Sequence, residues 1–155
     1  MPHAEVMHDE DHDLMKLIRK AGRLHEEGRD SDAQAVYLDV WKQADKPEDD
    51  YHACMAAHML GVMETSLDEK LRWHVESLER ANRVQDRRRT AGFYPSLYGN
   101  LGYVHRQLGN RDEALRYYRL ASEHLGVLKD DAYGRSVREG TIQALTELLA
   151  GPGET

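Results

Sequence analysis

Between about residues 94 and 126 two helical segments follow each other across a single glycine, and only a hairpin of helices uses all the local signals. The first segment, about 94–109, ends at Gly109. Asn110 stands at the capping position of the second, with Glu113 at the capping-box distance, and Ala114, Leu115, Tyr118 and Ala121 form one apolar stripe before Gly126 closes the helix. Helices of this length are marginal alone in water, so the stripe has to be covered by further helices.

The rest of the chain supplies them. Leu14, Leu17, Ile18, Ala21 and Leu24 fall at spacings of three and four, which predicts a helix over about 12–28 that Gly28 ends. Asp30 and Ser31 offer caps for a second, with Ala33, Val36, Tyr37, Val40 and Trp41 on its inner stripe. Pro47 is expected in the first turn of a third helix carrying Cys54, Ala57, His58, Gly61 and Val62 to about Thr65. Ser66 with Glu69 makes a capping box for a fourth, with Leu67, Leu71, Val75 and Leu78, reaching Val84. The polar segment 85–93 reads either as a connection or as an upstream extension of the next helix, with Pro95 in its first turn or at a kink. A seventh helix over about 131–149, with Val137, Thr141, Ala144, Leu145 and Leu148 in register, would cover the open side of the last pair.

The resulting expectation is an all-α chain of about seven helices. Residues 1–11 read as an acidic, disordered tail and 12–150 as one domain, with pairs at about 12–45, 47–84 and 94–125 and a capping helix at about 131–149. The stretch Leu97–Ala121 resembles a tetratricopeptide repeat (TPR). Leu101-Gly102 match the apolar and small pair where the helices cross, Ala114 the small residue of the second helix, and Tyr118 and Ala121 the aromatic and small positions beyond it. The first pair keeps Ala21, Leu24, Gly28, Ala33 and Tyr37 at the same spacing, with Lys20 and Val40 as departures. The middle pair keeps Leu60-Gly61 but has Lys70 where the small residue belongs, ten positions after Leu60 against thirteen from Leu101 to Ala114. Either its turn is shortened or its first helix loses a turn. The resemblance implies a right-handed α-solenoid with a concave binding groove.

Composition narrows the function. Lys and Arg number 21 against 28 Asp and Glu, a formal net charge of -7, which disfavours general binding to a phosphate backbone. Cys54 is the only cysteine, as in a reducing compartment, and no apolar run approaches the roughly 20 residues of a membrane span. A cytoplasmic protein is expected. His8 and His12 stand four apart among acidic residues but precede any apolar pattern, so no metal site is assigned there, and no cofactor is expected. Cys54, inside Ala53-Cys54-Met55-Ala56-Ala57, reads as a buried, inert thiol, and no nucleophile or triad is visible. Arg87-Arg88-Arg89 beside Phe93 and Tyr94 is a local basic cluster, read as a solvated connector.

By the repeat register the groove offers Met15, Arg19, Gly22, Met55, Met59, Val62, Ser96, Asn100, Tyr103 and Gln107, with Arg135 and Arg138 nearby. TPR proteins that clamp a partner's terminal carboxylate use a basic, asparagine-rich set; here Gly22 and Met59 interrupt it and only Asn100 agrees, so that mode is rejected. The leading expectation is a non-catalytic protein-protein interaction module, an adaptor or scaffold holding a peptide or partner protein. The candidate contacts are Arg19, Met59, Ser96, Asn100, Tyr103, Gln107, Arg135 and Arg138. The alternatives are a small-molecule-binding protein or enzyme whose pocket the C-terminal helix closes over Asn100, Tyr103, Arg135 and Arg138, and a regulatory subunit of a nucleic-acid-binding partner. A homodimer is compatible with each.

Overall fold

The computed structural model describes residues 2–47 and 49–151, with side chains from residue 12 onward. Among the described residues seven helices are longer than a single turn: α1 (Pro2–Glu26), α2 (Asp30–Ala44), α3 (Asp50–Met63), α4 (Leu67–Arg83), α5 (Tyr94–Gln107), α6 (Arg111–Glu123) and α7 (Ala132–Leu149). Among the described residues there is no strand, and no helix is long and apolar enough to cross a membrane. Helix α1 begins at Pro2, within the stretch expected as a tail; the side chains of residues 1–11 lie outside the described residues.

Each helix packs chiefly on its neighbours in sequence, with weaker contact between α1 and α3 and between α5 and α7. The first and third pairs turn in the same way. Gly28 and Gly109 adopt φ of 77° and 82°, a left-handed conformation open to glycine at little steric cost. The following N–H groups, of Arg29 and Asn110, reach back 2.8 Å to the carbonyls of Leu24 and His105 and close the helix ends.

Inside each pair the helices meet at a small residue. A Cβ placed on Gly102 would lie 2.8 Å from the Tyr118 ring, and one on Gly61 would lie 2.6 Å from the His74 ring. In the first pair Ala21 and Tyr37 share a buried cluster with Leu24, Ala33 and Leu60. The middle pair departs as its sequence spacing requires. Its three-residue turn is not shortened; α3 stops two residues after Gly61, whereas α5 continues five residues past Gly102. Lys70 occupies the small-residue register because it has another task there: its Nζ donates to the carbonyls of Gly61 and Val62 at 3.1 and 3.0 Å, satisfying the foreshortened helix end.

Two junctions join the pairs. Trp41 and Trp73 meet edge to face at 5.3 Å between α2 and α4, and Arg80 lies over Trp41. Arg80, nearly buried, also bonds Asp45 after α2, Asp50 at the start of α3 (3.2 Å) and Glu76 (3.0 Å). Between the second and third pairs, Cys54, Ala81, Tyr94 and Leu97 form one cluster. The α7 helix covers the last pair through Ala144, Leu145 and Leu148 on Ala114, Leu115 and Tyr118.

Three boundaries differ from expectation. Pro47 is not in α3, which starts at Asp50 with Asp49 accepting from the His52 N–H; the proline lies in the preceding turn. The 85–93 segment is neither an open connection nor a continuous extension. It forms one helical turn, Arg87–Thr90, capped by Asp86, then a 3-10 turn, Ala91–Phe93, leading into α5 with Pro95 in its first turn. Helix α6 ends at Glu123, short of Gly126, and a 3-10 turn (Leu125–Val127) follows.

Gly102→Ala is expected to lower stability by about 1–3 kcal/mol by overpacking against Tyr118. Gly99→Ala, whose Cβ meets nothing within 4 Å, should raise it by up to about 1 kcal/mol through helix propensity. Urea denaturation midpoints of the two variants should move in opposite directions. Arg80→Ala leaves the buried Asp50 carboxylate without its guanidinium, and the same assay should show a loss of about 3–5 kcal/mol, partly recovered by Arg80→Met.

Candidate functional site

The odd-numbered helices enclose two neighbouring cavities. The first, about 350 Å³, has Ile18 and Gly22 from α1, Cys54, Met55, His58 and Met59 from α3, and Ser96 and Leu97 from α5 in its walls. Tyr37 and Phe93 complete the lining, and Tyr133 reaches over from the first turn of α7 to hydrogen-bond Ser96. The second, about 370 Å³, lies under α7, with Ser96, Asn100, Tyr103 and Arg106 on one side and Val137, Thr141, Gln143 and Glu147 on the other. Ser96 borders both.

The two differ in chemistry. Among the described residues no Asp, Glu, Lys or Arg lines the first cavity. Two of its titratable groups are also held neutral: burial pushes the Cys54 thiol up to about 11, and burial pulls His58 down to about 4. His58 is surrounded by protein yet keeps part of its surface accessible, which places that surface on the cavity. Its Nδ1 is 3.3 Å from the Asn100 amide nitrogen. A ring accepting from Asn100 at Nδ1 carries its proton on Nε2, and Nε2 has no hydrogen-bond partner among the described residues. The second cavity is polar: Arg106 and Glu147 close one end at 2.7 Å, and hydrogen bonds from Gln143 and Arg106 hold the Glu147 carboxyl below its usual range.

The residues expected to form the groove divide accordingly. Met59 and Ser96 line the first cavity, with Gly22 and Met55, while Ser96, Asn100 and Tyr103 line the second. Arg19 and Gln107 are exposed and line neither. Arg135 pairs with Asp130 at 3.1 Å, and Arg138 donates to the carbonyls of Leu125, Leu128 and Lys129. Both arginines brace the connection before α7 and line neither cavity, because the helix turns Tyr133, Val137 and Thr141 inward instead. Sequence reasoning missed Tyr133 and gave His58 no role. The signal for His58 was its place beside Met55 and Met59 on α3; for Tyr133 no local signal existed, since its role depends on how α7 crosses α5.

His8, of the His8/His12 pair, has its side chain outside the described residues; among those described, no group of three or more His, Cys, Asp or Glu is arranged to hold a metal ion. Cys54 is buried as expected, its sulfur 3.5 Å from the Ser77 hydroxyl, which itself donates to the Cys54 carbonyl. The basic run is partly engaged: Arg88 pairs with Asp86, and Arg89 lies 3.8 Å over the Tyr51 ring, which stacks on Phe93 at the cavity's edge. Comparison with family models, with curated proteins and with solved structures gives no match.

Behind His58 lies His74, its ring centre 6.0 Å away and its Nδ1 buried without a hydrogen-bond partner among the described residues. Burial, with smaller contributions from His58 and Lys70, lowers it to about 3. Both imidazoles therefore bind protons less readily in the folded state than in the unfolded chain. Their stabilising contribution is complete above an unfolded pKa of about 6.5 and is lost as pH falls toward about 4, at about 1.4 kcal/mol per unit of depression. Urea midpoints should fall steeply from pH 6.5 to 5, above the main range where the carboxylates titrate, and on toward pH 4, where the two overlap; His74→Phe should flatten the slope between pH 6.5 and 5.

Proposed function

We propose that this protein is a non-catalytic interaction module of the TPR kind, which holds an extended segment of a partner protein along the side formed by α1, α3, α5 and α7. The observation carrying this reading is that all four odd-numbered helices contribute to one apolar cavity, with a polar cavity directly beside it. Two pockets of different character in a row suit successive side chains of an extended chain. The turn geometry shared by the first and third pairs, the small-residue contact within each pair and the neighbour-by-neighbour packing support the repeat assignment. The neutral Cys54 and His58 support a binding role over a catalytic one, since neither is poised to exchange a proton near neutral pH.

A small-molecule site is the second reading. It is favoured by one observation, that α7 lies over Asn100 and Tyr103 with about 370 Å³ between them, although Tyr103 stays half exposed and Thr141 and Gln143 stand in place of the expected arginines.

Selection from a displayed library of random peptides against the immobilised protein separates the two. Enriched peptides should bind with affinity reduced about tenfold by Tyr103→Ala, a half-exposed residue of the second cavity, and unchanged by Val75→Ala, an exposed residue of α4. Absence of any enriched sequence would sink the peptide reading and leave the small-molecule one.

A further inference from the structure

The first cavity restricts what can enter it more sharply than the interaction-module reading requires. With no charged side chain among the described residues of its lining and with His58 neutral, it offers nothing to balance a carboxylate, a phosphate or an ammonium, and a charged group inside would forfeit its hydration uncompensated. Its lining of Ile18, Met55, Met59, Phe93 and Leu97 instead favours apolar area, with thioethers able to adjust around a ring. Two polar groups of the lining have no hydrogen-bond partner among the described residues, the Tyr37 hydroxyl and His58 Nε2. His58 Nε2 is directed by the Asn100 contact to be a donor and has no protein partner among the described residues, so the occupant should bring one acceptor. Size argues further. A cavity of about 150 Å³ with aliphatic and aromatic walls already accommodates benzene, so about 350 Å³ exceeds a bare ring and suits a ring with the main chain that carries it. The shared Ser96 wall gives that main chain a route into the polar cavity beneath α7.

We propose that the cavity between α1, α3 and α5 is the anchor pocket for an uncharged aromatic residue of the partner segment, a tyrosine in the best case, whose phenolic oxygen accepts from His58 Nε2 while the adjoining residues run past Ser96 toward Tyr103. This rests on the interaction-module reading. The hydroxyl of Tyr133, already bonded to Ser96, stands between the two subsites and divides anchor from continuation.

The test fills the pocket without disturbing the fold. A Cβ on Gly22 meets nothing nearer than the Tyr37 hydroxyl at 3.9 Å, so Gly22→Leu projects into free space in a helix that gains propensity from the change. N-acetyl-tyrosinamide, its phenylalanine counterpart, tyramine and 4-hydroxyphenylacetate are titrated into wild type and Gly22→Leu, followed by amide NMR shifts, with thermal midpoints as the check on folding. The expected result is saturable shifts at residues of the α1, α3 and α5 walls for the tyrosine amide, several-fold weaker binding of the phenylalanine amide, and binding of the amide lost in a Gly22→Leu protein that melts no lower than wild type. Equal binding of the tyrosine amide by Gly22→Leu, or a preference for either charged ring, overturns the pocket assignment. Peptides selected on the wild-type protein should carry an aromatic residue and weaken about tenfold or more with Gly22→Leu. If they bind without an aromatic residue and tolerate the variant, the anchor is overturned and the interaction module stands. If the amide binds but no peptide is ever selected, the peptide partner is overturned and a free aromatic compound takes its place.

Discussion

The separation between the two helices of a pair governs the rest of this structure, and it is set by a ring on the second helix lying over a residue with little or no side chain on the first. Tyr118 over Gly102 and His74 over Gly61 leave no room for a methyl group between backbone and ring. Such contact brings the helix axes close enough for Ala33, Ala114, Leu60 and Leu101 to exclude water completely. Once each pair is this tight, its odd-numbered helix is held to face one side, and the cavities follow from how three such helices and α7 stand beside one another.

The middle pair shows what happens when the ring is an imidazole. His74 fills the position that Tyr37 and Tyr118 fill elsewhere, but it carries a buried nitrogen without a partner, an arrangement that costs about 1–3 kcal/mol. Next to it His58 faces the cavity and is kept uncharged by the same lack of water. The polar weakness of the core and the imidazole of the first cavity are therefore adjacent. Lys70 adds a second irregularity, since a charged chain sits where its counterparts are alanines, and the foreshortened α3 makes this tolerable by giving its ammonium two carbonyls to serve.

Much of this architecture was legible in the sequence because its determinants are local. Gly109 and the Ala114, Leu115, Tyr118, Ala121 stripe specify a turn and a buried face within a few residues, and the Ser66 cap with its Glu69 N–H acts at the same range; the expected Asn110 cap is not made, its side chain meeting His105 at 3.1 Å instead. The misplacement of Pro47 has a local competitor: Asp49 makes a better helix start by accepting from His52. Whether the middle turn or the middle helix was shortened could not be read from spacing, since both give the same separation of Gly61 and Lys70. The candidate site was legible only in part. Met59, Ser96, Asn100 and Tyr103 follow from repeat register along single helices, whereas Arg135, Arg138 and Tyr133 depend on the rotation of α7 about its own axis. That rotation is fixed by Ala144 and Leu148 packing on α6, a contact between segments about thirty residues apart.

The cavity under Tyr133 has walls from residue 18 to residue 133, so its parts come from widely separated stretches of chain. As a polypeptide is made in order, α1, α3 and α5 can pair and bury their stripes while the α7 side of the pocket still lacks its hydroxyl. The closed cavity is then the last feature the molecule acquires, after most of its stability is already in place, and a chain whose α7 fails to dock would be folded to most probes and yet lack the final wall of that cavity.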